Sequence, residues 1–424
     1  MQRPPVVPRP VLLPFVLLTT CFAAWGVANN MTDPLVKVFS RVFVMSAAQG
    51  SLVQFAFYGA YFCLALPAAL VVKRWSYKTG VLLGLGLFIA GALLFYPASQ
   101  TMVYGHFLAA LFILAGGLSI LETSANPYII ALGPEQTGTL RLNLAQAFNP
   151  VGSNIGVWLA ATFILTQINT AGDAERVGMS ADALRTVQAA ELQAVMGPYV
   201  GMALVLVALW VAIAFVKMPA ASDAGPGLDF GPTVRRLLRN RHYSFGVVAQ
   251  FFYVAAQICV WTFTIHYGVS LGMTEADAGS WLQYSLIAFL VARFVTTALM
   301  RILRPAMLLA ALAGIGIALT ALVVLVPGTV GITALVGISA CMSLMFPTIY
   351  GIALRGLGDD TKLGAAGLVM AILGGALAPL LQGALVDSIG APGSYVVPLI
   401  CFVIVAAYGI FDWKSPMSAE LAHA

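Results

Sequence analysis

The chain has 424 residues, of which 60% are hydrophobic and only 9% charged, and its mean hydropathy is +0.94. A water-soluble fold of this length needs far more polar surface, so the composition excludes a soluble enzyme and points to a polytopic α-helical membrane protein. The net charge is +5, but the basic residues lie scattered in short loops rather than in a patch, which argues against a nucleic-acid partner.

Twelve apolar runs are predicted to cross the bilayer, at 11–32, 48–72, 77–97, 101–130, 140–167, 194–217, 243–270, 277–300, 304–326, 329–354, 362–388 and 392–413. The first, Val11 to Met31, is long for a signal-peptide core and no Ala-x-Ala site follows it, so it reads as a retained span. Two stretches read as non-membrane. Residues 168–193 carry Asp173, Glu175, Arg176, Asp182, Arg185 and Glu191. Residues 218–242 carry Pro219, Gly225, Pro226, Gly227 and Pro232, then Arg235, Arg236, Arg239 and Arg241. This second stretch divides the chain into a six-span bundle (1–217), a linker (218–242) and a second six-span bundle (243–424).

Loop charge sets the expected orientation. With the N-terminus inside, sixteen of the 21 basic residues face the cytoplasm, Lys37, Arg41, Arg176 and Arg185 face the other side, and Arg293 falls within a span. That asymmetry places both termini in the cytoplasm. The halves echo one another: Asn126-Pro127-Tyr128 is matched by Phe346-Pro347-Thr348, with the prolines at 127 and 347, 220 residues apart. The basic turn Lys73, Arg74, Lys78 is matched by Arg301, Arg304. Two parallel six-span halves imply a substrate site between them near the midplane.

Two carboxylates stand out: Asp33, which closes the first apolar run, and Glu122, inside the fourth. An ionised group near the bilayer centre costs several kcal/mol, and such groups usually face a water-filled cavity and exchange protons. Trp25, Asn29 and Asp33 share a helix face, with Asn30 close to it. Pro34 disfavours regular helix at Asp33. The alternative for Asp33 is that it ends the helix at the outer interface beside Lys37 and Arg41. Glu122 has Asn126 one turn on, and its alternative is a structural hydrogen bond between helices.

Polar stripes recur on both halves: Asn143, Gln146 and Asn149 in the fifth span, and Gln250, Tyr253, Gln257 and Trp261 in the seventh. Amides suit a hydroxyl-rich ligand and aromatic faces suit a sugar ring, so both stripes read as cavity lining rather than as glue between helices. Arg293 is expected to snorkel to the cytoplasmic surface, and both it and Arg141, at the start of the fifth span, are given a structural or gating role. His266 and Asp387 read as interface residues. The cysteines, Cys21, Cys63, Cys259, Cys341 and Cys401, read as small buried hydrophobes, without disulfide or metal. No GxxxxGK[ST], HExxH or GxSxG motif occurs, so no cofactor or ATP site is expected and an ion gradient must drive transport.

Several long motifs, in order, carry a resemblance. Trp25-Gly26-Val27-Ala28-Asn29-Asn30-Met31-Thr32-Asp33-Pro34-Leu35 is one, and Leu121-Glu122-Thr123-Ser124-Ala125-Asn126-Pro127 another. Ser76-Tyr77-Lys78-Thr79-Gly80, Leu132-Gly133-Pro134-Glu135 and Arg141-Leu142-Asn143-Leu144-Ala145-Gln146-Ala147-Phe148-Asn149 follow, with Ala249-Gln250-Phe251-Phe252-Tyr253-Val254-Ala255-Ala256-Gln257 in the second half. From about residue 20 to 410 the chain resembles the fucose–proton symporters of the major facilitator superfamily. The resemblance implies an all-α membrane protein of the major facilitator fold, with twelve transmembrane helices in two pseudo-symmetric six-helix bundles. It implies proton-coupled monosaccharide import by a monomer in the inner (plasma) membrane. It also implies proton coupling by Asp33 and Glu122 and a sugar cavity with Trp25, Asn30, Gln146 and Asn149. Phe346 departs from the tyrosine expected there, which leaves L-fucose, galactose, glucose and arabinose open.

Overall fold

The computed structural model describes residues 4–42, 47–101, 103–164, 178–219 and 230–415, with the side chains of Asn29 and of residues 32–42, 47–52, 54, 161, 164, 181, 192, 194 and 195 outside that description. The described residues form helices joined by short turns. In chain order they are α1 Leu12–Val42, α2 Ala47–Arg74, α3 Tyr77–Thr101, α4 Tyr104–Ala131, α5 Gly138–Gln146, α6 Phe148–Leu159 and α7 Ala181–Phe215. After these come α8 Phe230–Arg239, α9 Arg241–Ser270, α10 Glu275–Leu299, α11 Pro305–Leu325, α12 Thr329–Met342, α13 Met345–Ala353, α14 Thr361–Met370, α15 Gly374–Ser394 and α16 Val396–Trp413.

Among the described residues, eleven helical segments are long and apolar enough to cross a membrane. The twelfth expected crossing is a broken one: α5 and α6 run on from each other into a π-helical turn, Ala160–Ile164, and no single piece has the length. Proline explains the break. Pro150 lacks the N–H that would bond the Gln146 carbonyl, and α5 ends at Gln146. The second half repeats the device: Pro347 leaves the Ser343 carbonyl without its donor, and α12 gives way to α13 between Met342 and Met345.

Other boundaries differ from the sequence expectation. The helix α1 continues past Pro34 to Val42, because a transmembrane helix tolerates the one lost bond when neighbours support it. The helix α7 begins at Ala181, capped by the Ser180 side chain, so part of the charged 168–193 stretch extends a crossing. The linker contains a short helix, α8, whose Arg236 forks onto Asp360 at 2.7 and 2.8 Å. In the last hairpin, Gly390 at φ +79° ends the regular part of α15.

Glycine sets the closest approaches. In α6, Gly152 and Gly156 are four apart and face Ala23 and Val27 of α1, while Gly26 of α1 faces Asn149 and Ser153. A Cβ on Gly152 would stand 1.8 Å from the Ala23 carbonyl oxygen, and one on Gly156 would stand 2.5 Å from that of Val27. Small residues allow such backbone contact in membranes, where lipid offers no hydrophobic drive for helices to associate. Gly152→Val is therefore expected to part α1 from α6. Because the clash is with backbone, no rotamer relieves it, and thermal unfolding in detergent should show a drop of more than the ~3 kcal/mol typical of overpacking.

Between the halves, α14 packs on α2 and α4, and α13 packs on α5. These contacts gather at the end of the molecule that carries both chain termini. There Asn143 Nδ2 donates to Thr348 Oγ1 at 3.2 Å, Gly356 N donates to Glu135 Oε1 at 3.1 Å, and Lys362 Nζ sits 5.6 Å above the Tyr77 ring.

Candidate functional site

The site is built on α4. From Leu114 to Ile129 every residue of this helix is buried, so it lies inside the molecule with other helices all round it. Glu122 stands in the middle of that stretch at 2% exposure; among the described residues its carboxyl oxygens make no hydrogen bond of good geometry, and the Asn126 amide is the polar group beside them. An ionised carboxylate so placed loses its hydration with little to replace it, a cost of several kcal/mol. Beside it lies a small void lined by Cys21, Phe22 and Trp25 of α1 and by Leu118, Leu121, Glu122 and Ala125 of α4. The Trp25 indole N–H is also buried, with the Tyr61 hydroxyl beside it and no hydrogen bond of good geometry among the described residues.

The Asn126 amide, one turn from Glu122, accepts from Gln146 Nε2 at 2.8 Å, and its own N–H groups lie beside Glu122 and Tyr350. Gln146 is the last residue of α5, so the break at Pro150 ends that helix beside α4. Asn149, on the first turn of α6, donates to the Phe22 carbonyl at 3.3 Å, and Asn30 donates to Gly26 of its own helix at 3.1 Å. Trp25, Glu122, Asn126, Gln146 and Asn149 are thus brought together by α1, α4, α5 and α6. The side chains of Asn29 and Asp33 lie outside the described residues.

The second half supplies a facing wall. Gln250 is fully buried, and neither its amide oxygen nor its nitrogen has a partner. The Tyr253 hydroxyl donates to the Met342 carbonyl at 3.2 Å, so it is used within its own half. Gln257 is half-buried, and the Trp261 indole donates to Ser339 Oγ at 3.2 Å. Phe346 packs against Tyr253, with ring centroids 6.2 Å apart.

Tyr350 is a residue the sequence reading passed over. It is fully buried, stacks on Phe346 at 6.2 Å, and donates its hydroxyl to the Ala365 carbonyl at 3.5 Å, with Asn126 and Glu122 as its neighbours across the halves. The signal was present as spacing: Tyr350 follows Phe346 by one helical turn and returns a hydroxyl to the face where Phe346 lacks one.

The two arginines part company. Arg141 is fully buried and donates to the carbonyls of Val6, Ile129, Ile130 and Pro134 and to Thr137 Oγ1. It staples the turn between α4 and α5 to the N-terminal segment. Arg293 does not snorkel. It is 4% exposed, its guanidinium carbon lies 5.0 Å over the Phe289 ring, and its Nε and Nη1 have no partner. Phe289 is one turn earlier on α10, and its ring face holds the cation in the interior. Of the cysteines, Cys63 is exposed and the other four are buried, all with free thiols. His266 and Asp387 are exposed near helix ends. Among the described residues, no group of three or more His, Cys, Asp or Glu is placed to hold a metal.

The Major Facilitator Superfamily pattern matches residues 16–372. An L-fucose-proton symporter of Haemophilus influenzae is 44% identical over 421 residues, covering 96% of this chain and 98% of that one. A glucose/galactose transporter of Brucella abortus is 37% identical, covering 94% and 93%. The crystal structure of a transporter of this superfamily, FucP, in its outward conformation superposes with a TM-score of 0.91 at 37% identity, covering 96% of this chain and all of that one.

Proposed function

The chain belongs to the Major Facilitator Superfamily, a family of transporters rather than enzymes, and from that premise we propose that it is a proton-coupled sugar symporter whose substrate is L-fucose. The observation that carries the reading is Glu122: a carboxyl group buried deep in α4 whose polar neighbour is the Asn126 amide, with Tyr350 of the opposite half nearby. Relatives named as L-fucose-proton symporters, at 44% and 38% identity, support the substrate. In this reading residues 1–217 and 243–424 are two bodies that rock about the 218–242 linker. The protein works as a monomer in the plasma membrane with both termini cytoplasmic, the orientation that loop charge favours.

The packed end of the molecule is then its inner gate. Asp33 and Glu122 take protons from the outer side. Neutral Glu122 can be carried through the closed state, where an ion would be costly. Sugar hydroxyls bond with Asn126, Gln250 and Trp25, with Asn29, Asn30, Gln146, Asn149, Tyr253 and Gln257 completing the cavity. Opening of the inner gate releases sugar, and the proton leaves to the more alkaline interior.

The test is reconstitution in liposomes with an internal pH dye, followed by a panel of sugars added without an imposed gradient. L-fucose is expected to acidify the lumen. Saturable exchange without proton movement would make the protein a uniporter, and silence with every sugar would remove sugar as the substrate. A second substrate reading rests on Phe346, whose missing hydroxyl takes away one sugar contact. The Brucella abortus relative, named for glucose and galactose, keeps those hexoses in the panel.

A further inference from the structure

At the terminus-bearing end of the molecule, on its outer surface, a groove of about 620 Å³ lies between the start of α9 and the end of α16. Ala407, Ile410 and Phe411 form its apolar wall, and His242, Lys414 and Ser415 form its rim. Val403, Ala407 and Ile410 are exposed at i, i+4, i+7, the stripe that α16 turns away from the bundle. On a crossing helix that stripe faces lipid, so the groove opens to the bilayer and not to the transport pathway.

The charge at the rim is unbalanced. Asp412, buried behind the groove, is met by His242 Nδ1 at 3.2 Å and by Arg355 Nη1 at 3.5 Å. That leaves Lys414 at the rim, and Arg241 next to His242 in the chain, both exposed, whose side chains make no ion pair or hydrogen bond among the described residues. Trp413, next to Lys414 at the end of α16, is 42% exposed, as aromatic residues are at a headgroup boundary. Basic pockets between crossing helices at the headgroup level suit anionic lipid.

We propose that this groove holds one anionic phospholipid, with its phosphate against Lys414 and His242 and an acyl chain along Ala407, Ile410 and Phe411. A zwitterionic lipid has the same phosphate but carries its own cation, so it gains nothing from the free charges of Lys414 and Arg241. Neither Lys414 nor Ala407 belongs to the transport site, and the lipid would bind whether the carried sugar is L-fucose or another.

The test is native mass spectrometry of the purified full-length protein, delipidated and titrated with phosphatidylglycerol or with phosphatidylcholine of the same chains. One retained phosphatidylglycerol is expected, favoured about tenfold over phosphatidylcholine. Lys414→Gln should remove the preference, and Ala407→Trp, which fills the groove, should remove both lipids, with unfolding temperatures confirming that each variant is folded. Equal phosphatidylglycerol retention in wild type and both variants would overturn the proposal. So would a delipidated dimer lost in Ala407→Trp, which would assign the groove to a second copy. Lipid binding seen only after deletion of residues 416–424 would assign it to that segment and likewise overturn the proposal.

Discussion

Glu122→Gln is expected to abolish proton-driven accumulation while leaving sugar exchange in place. Glutamine has nearly the shape of the protonated acid and carries no charge, so it mimics one of the two states between which transport must alternate. Both Glu122 oxygens are buried, and their polar neighbour, the Asn126 amide, can donate to a glutamine oxygen as well as to a carboxyl oxygen, so the substitution forfeits little. The unfolding temperature should therefore stay level or rise. The sugar-driven pH signal in liposomes should fall to background, and the accumulation ratio should fall to that of passive equilibration. Counterflow should persist. Comparison with Asp33→Asn separates the two carboxylates: if Asp33 alone carries the proton, Glu122→Gln will still accumulate sugar and the role given to Glu122 is wrong.

The class of the molecule was legible because hydropathy counts residues and ignores geometry. Glu122 was legible for the same reason, since one acid in a long apolar run stands out whatever its surroundings. What surrounds it was not legible. A helix buried on every side, as α4 is between Leu114 and Ile129, has no apolar face to set against a polar one, so periodicity could not say what Asn126 meets. The contact between Asn126 and Gln146 depends on where α5 stops, which the proline four residues on determines. Pro150 and Pro347 were visible, but an apolar run broken by one missing bond reads the same as an unbroken one. Arg293 was expected to reach for the surface because length and charge favour that on an isolated helix. The Phe289 ring that keeps it inside is a three-dimensional fact. Tyr350 was lost among hydrophobic neighbours, since tyrosine in an apolar helix is common and its hydroxyl has meaning only once Glu122 is known to lie across the interface.

The second large effect is expected at Gly351, where the halves touch. A Cβ there would stand 2.8 Å from Thr139 Oγ1 and 3.1 Å from Thr139 Cα, across the boundary between α13 and α5. Thr139 is one turn from Asn143, whose bond to Thr348 closes the same boundary. Gly351→Val therefore overfills the contact only while the terminus-bearing ends are together, and costs nothing there once they part. Overpacking costs about 1–3 kcal/mol, which corresponds to a population shift of roughly 5- to 150-fold toward the state with those ends apart. Cysteines at Trp75 and Ile302, both exposed at that end and in opposite halves, would carry the spin labels, with Cys63, the exposed native thiol, changed to serine. The distance distribution should lengthen in Gly351→Val and recover when Thr139→Ala is added, since the smaller residue makes room for the valine. An unchanged distribution would mean that α5 and α13 do not form the gate. A lengthening that Thr139→Ala fails to reverse would place the strain elsewhere on α13.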